Sequence, residues 1–151
     1  MRQKIIMIIL VIISLVLMPQ VSSAKIKKPA LDSRELQLQD MLTLFLLPYM
    51  NDKLSEVYAY ELNAAPELYP YFVDVTKTDR LNGFRGYTLS ITLHAHPTVG
   101  PHIPVGEDLF TFEVSPLVNV KLVTYEHLKG PKKSDFPPNY QDLLKKNTVL
   151  H

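Results

Sequence analysis

Three histidines are the residues of this chain best suited to chemistry: His94, His96 and His102. His94 and His96 stand two apart in an alternating segment, so their imidazoles leave one face of a strand. His102 follows in a loop able to turn it back toward them. Three imidazole nitrogens can hold zinc with a position left for water, as in a zinc hydrolase, and Glu107 would then be the general base. The same spacing also suits solvated residues that continue the polar stripe of Thr88, Ser90 and Thr92, with His102 bonded to its own loop. A metal site needs outer partners that spacing does not supply, so the expectation is no cofactor, with zinc as the alternative.

The segment Pro97–Asp108 is the second candidate. Its three prolines stiffen it and its two glycines admit positive φ, so it holds one shape and can serve either as a binding loop or as a stiff crossing between strands. Glu107, Asp108 and Glu113 carry carboxylates, but no second pair stands opposite them to complete an acid and a base. No serine or threonine has a recognisable nucleophile setting, and no glycine-rich phosphate loop occurs. Tyr58, Tyr60, Tyr69, Tyr71 and Tyr87 can line a groove for peptide or glycan, or fill the core.

The elements that must position these groups follow from periodicity. Asp32 and Glu35 start a helix that runs to about Tyr60, with apolar residues at Leu38, Leu42, Phe45 and Tyr49 and a second stripe at Leu46, Met50, Leu54 and Val57. Between Met41 and Met50 the segment is apolar nearly all round, which predicts burial on most sides, with Phe45 against a sheet. Pro48 predicts a kink or a break. After residue 66 the period falls to two, giving strands over 71–77, 87–95, 109–114 and 118–127, and a helical turn at Tyr140–Leu144 that docks on the core. One long helix followed by four antiparallel strands is an α+β domain in a cystatin-like or nuclear-transport-factor-like layout.

Arg2 and Lys4, the apolar run Ile5–Leu17 and the small residues around Ser22 and Ala24 form a secretory signal peptide over residues 1–24. The run is too short to span a bilayer, so the mature protein is expected to have no membrane span. A basic arm follows at 25–31, and then one domain over 32–151. Without Arg2 and Lys4 the mature chain carries 14 basic against 15 acidic residues. That balance makes no field for polyanions and excludes nucleic acid as a partner. The chain has no cysteine, which removes disulfides, thiol nucleophiles, thiolate metal sites and lipid attachment at a leader cysteine.

Several blocks resemble a known family. They are Glu35–Asp40 with Leu44–Tyr49, Tyr71–Val73, Asn82–Gly86, and Pro97–Asp108 with Thr111, Phe112 and Glu113. The chain is similar to the small exported domain of unknown function 3888 of Bacillus-type Gram-positive bacteria. That resemblance implies an exported single domain outside the cytoplasm, in the wall or the space beneath it, and implies no activity. The family pattern includes Gly100, Pro101 and His102, whereas His94 and His96 look peculiar to this chain. Arg85, His102, Glu107 and Asp108 are therefore the expected binding residues, in a noncatalytic module that meets an envelope or extracellular partner. The alternative is the zinc hydrolase with His94, His96 and His102 as ligands.

Overall fold

The computed structural model describes residues 31–146. The expected signal peptide, and the basic arm up to residue 30, lie outside the described residues. Helix α1 spans Arg34–Tyr58 and starts at Ser33, whose side chain accepts the Leu36 amide proton at 3.2 Å. Asp32, the expected cap, instead accepts from Gln37 Nε2. The helix is not broken at Pro48. The ring sits on the exposed side, where the Leu44 carbonyl it leaves without an amide partner can turn to water.

Four strands form one antiparallel sheet: β1 Val73–Arg80, β2 Leu89–Ala95, β5 Glu107–Ser115 and β6 Asn119–Lys129, in the spatial order β1-β2-β5-β6. The expected loop between β2 and β5 contains a small hairpin of β3, Thr98–Val99, and β4, Ile103–Pro104. The first strand starts two residues later than its alternation suggests, because Pro70 opens a 3₁₀ turn over Pro70–Phe72. The domain is α+β, as the change of period indicates.

Cross-strand partners share a face, and the register assigns each residue to one. Val73, Ala95 and Asp108 are aligned, as are Val75, Leu93, Phe110 and Tyr125 in the next rank. This is the inner face, and α1 lies on it through Leu46, Met50, Leu54 and Tyr58. The edge of the Tyr49 ring meets Phe112 with centroids 6.4 Å apart. The tail closes one end of the core with buried Phe136, and with Tyr140, Leu143 and Leu144 from and after the 3₁₀ turn Pro138–Leu143.

The expectation that residues 41–50 are buried on most sides is overturned. Met41, Leu44, Phe45 and Tyr49 are exposed, Phe45 by 73%. At 100° per residue Phe45 stands opposite Leu54, and α1 has the sheet on one side only. The helix therefore has two apolar faces, of which the sheet covers one.

Candidate functional site

Adjacent strand residues point to opposite faces, and this separates the expected binding residues. Glu107 projects from the outer, uncovered face of the sheet, while Asp108 turns inward and is fully buried. His102 sits in the β3-β4 turn with φ 62°. Arg85 lies in the β1-β2 connection, beyond the Arg80–Leu89 pair, at the end of the sheet away from Ala95 and Asp108. Arg85, His102, Glu107 and Asp108 do not meet in one site.

The three histidines also part. His94 and His96 are neighbours on the outer face, with ring centroids 4.5 Å apart. Their third companion is Glu107: one ligand atom from each of the three lies within 4.8 Å of the others. His94 Nε2 has no hydrogen-bond partner and stands 3.7 Å from Glu107 Oε2, while Lys129 Nζ stands 3.7 Å from the other oxygen. His102 instead packs on Tyr69, with centroids 4.7 Å apart, and its Nδ1 is 3.2 Å from the Tyr71 hydroxyl. The His102 ring thus faces tyrosines and not His94 and His96.

Asp108 anchors a closed network that spacing did not reveal. Tyr58 donates to its Oδ2 at 2.8 Å, Tyr125 donates to its Oδ1 at 2.6 Å, and His127 Nδ1 lies 2.8 Å from that same oxygen. A carboxylate without water needs such donors, and these tie α1, β5 and β6 together. Burial and the adjacent carboxylate push the Tyr58 hydroxyl far above the usual tyrosine range, and burial with the hydrogen bond to Asp108 does the same to Tyr125. Both phenols therefore remain donors. A Cβ on Gly106 would fall 1.8 Å from the Tyr58 hydroxyl, so glycine is required for this close approach. The carboxylate at the centre of the network is fully buried, whereas Tyr125 and His127 reach the surface, with the His127 side chain 28% exposed.

A groove of about 570 Å³ opens on the other side of α1, between its first three turns and β1. Leu36, Gln39, Asp40 and Thr43 form one wall, and Pro70, Tyr71 and Val73–Thr76 form the other. Strand β1 is an edge of the sheet, pairing with β2 alone among the described strands. Its residues 73–76 border the cleft, and Asp40 is among the lining residues on the helix side. Of the tyrosines read as groove residues, Tyr71 is in this wall.

Among the described residues no helix is long and apolar enough to cross a membrane. Comparison with curated proteins and with solved structures finds no match. A family profile described as protein of unknown function (DUF3888) matches residues 38–129, which is more than half of the 151-residue chain and runs from the first turns of α1 to the end of β6. The chain therefore belongs to the DUF3888 family of proteins of unknown function.

Proposed function

We propose that this is an exported, noncatalytic binding domain that takes an extended polypeptide segment into the groove between α1 and β1. The observation that carries this reading is the pairing of a sheet edge, unpaired among the described strands, with a helix wall around one cleft. An extended chain entering there adds to β1 by main-chain hydrogen bonds, and its alternate side chains fall against Leu36, Tyr71, Val73 and Val75. Val73–Thr76 offers roughly 13 Å of edge, enough for about four residues of an added strand. Asp40 favours a segment with lysine or arginine at the facing position.

The pairing of β1 with β2 has one register shift, between Val75 and Lys77, against two in the pairing of the other edge strand, β6, with β5. The buried Asp108 network supports the noncatalytic reading, since its polar groups bond one another and not a cavity. Export rests on the leader read at residues 1–24. A single long helix laid over a four-stranded antiparallel sheet favours the cystatin-like layout over the nuclear-transport-factor-like one.

The test is selection from a phage library of random linear peptides on the mature protein, repeated with Leu36→Arg, whose folding is checked by circular dichroism. The reading expects enriched peptides with alternating apolar residues and a basic residue, all lost on the folded Leu36→Arg protein. No enrichment, or peptides that bind Leu36→Arg equally, overturns it. Self-association through β1 at high concentration would also overturn it, making a second copy the occupant.

A further inference from the structure

The outer face of the sheet carries a feature independent of the groove. From the placement of His94, His96 and Glu107 we infer a binding site for a divalent transition metal, zinc above all, with His102 no part of it. Two imidazoles and a carboxylate are a recurrent zinc ligand set, and imidazole selects against magnesium and calcium. Donors around tetrahedral zinc, at bonds of about 2.0–2.1 Å, stand roughly 3.4 Å from one another. The three groups here already lie within 4.8 Å, so small side-chain rotations close the set.

Three details favour a ligand over a merely solvated cluster. His94 Nε2 is shielded from water and has no hydrogen-bond partner, which disfavours leaving it without an ion. Lys129 stands near Glu107 Oε1 and leaves Oε2 toward His94, so the carboxylate is oriented for monodentate ligation. His96 and Glu107 also border a cavity of about 320 Å³ shared with Pro104, Gly106, Lys129 and Asp135, which gives space for a fourth ligand.

The backbone supports the arrangement, because His94 and Glu107 are carried on paired strands and His96 follows one residue after β2. The Ala95–Asp108 pair fixes the register, so the next residues outward, His96 and Glu107, face each other. Glu107 serves here as a ligand and so is not available as the general base of a hydrolase. Asp135, the other carboxylate at the cavity, accepts the Lys132 amide at 3.0 Å.

Isothermal titration of zinc chloride into the untagged mature protein at neutral pH tests this, together with thermal melting with and without the metal. The expected result is one zinc per chain, a higher Tm with zinc, and affinity at least tenfold weaker in each of His94→Ala, His96→Ala and Glu107→Gln. His102→Ala binds as tightly as the parent. No heat and no Tm change, equal loss in His102→Ala, or unaltered binding in all three ligand variants overturns the site. Leu36→Arg retains zinc binding, so a failed peptide groove and a failed metal site give different results.

Discussion

Tyr58→Phe removes one oxygen atom, and the structure says what that atom does. It donates at 2.8 Å to Oδ2 of a carboxylate that is 0% exposed, and the other two donors of the network both reach Oδ1. Hydrogen bonds to a charged group contribute about 1.5–3 kcal/mol, and with Tyr58 only 1% exposed the lost donor is not replaced by bulk water. With an unfolding entropy of about 2.1 cal/mol/K per residue, the described domain has roughly 0.24 kcal/mol/K, so Tm falls by about 6–12 °C. Differential scanning calorimetry measures the shift, and Tyr60→Phe, which loses an exposed hydroxyl, is the control expected to melt with the parent. A second arm combines Tyr58→Phe with Asp108→Asn, and the two losses are less than additive because both break the same bond. A Tyr58→Phe protein that melts within about 1 °C of the parent would refute the claim that this hydroxyl satisfies Asp108.

Other outcomes follow from the same packing. Leu54→Ala, in the core, costs about 2–5 kcal/mol in a urea titration, whereas Phe45→Ala, on the uncovered side of α1, stays within about 0.5 kcal/mol. Gly106→Ala drives a methyl group into the Tyr58 hydroxyl and the Lys129 carbonyl, and it lowers the urea midpoint by at least the equivalent of about 2 kcal/mol. Tyr58 is raised above its unfolded value of about 10, so its contribution is complete below that pH. Above it the unfolded state has lost a proton that the folded state keeps. Stability then declines by about 1.4 kcal/mol per pH unit from this group, and Tyr58→Phe shows a correspondingly flatter alkaline limb in urea melts.

How much of this was legible depends on the kind of signal. The helix and the four main strands were readable because apolar residues recur at near four and then at two. The orientation of α1 was not, since Phe45 and Leu54 are both apolar and lie on opposite sides, and the sheet covers only one of them. Asp108 was within reach: the alternation of Phe110 and Phe112 extended two residues back points it inward. A strand begun at Leu109 leaves it in a loop with Glu107. The Tyr58 partner is 50 residues away and follows from packing, not from any motif. His94 lies in β2 and His96 one residue beyond it, and their companion comes from the neighbouring strand, because register, not sequence distance, brings Glu107 beside them. The groove has no sequence signature, as it arises where α1 passes beside the sheet edge.

Amide hydrogen exchange on the protein, with and without a peptide selected against it, addresses the binding role most directly. Strand addition predicts that the peptide slows exchange within residues 73–76 while β6 and the outer-face positions around Thr111 keep their free rates. Protection confined to β6, to the β3-β4 hairpin or to the outer face, with residues 73–76 unchanged, would contradict it.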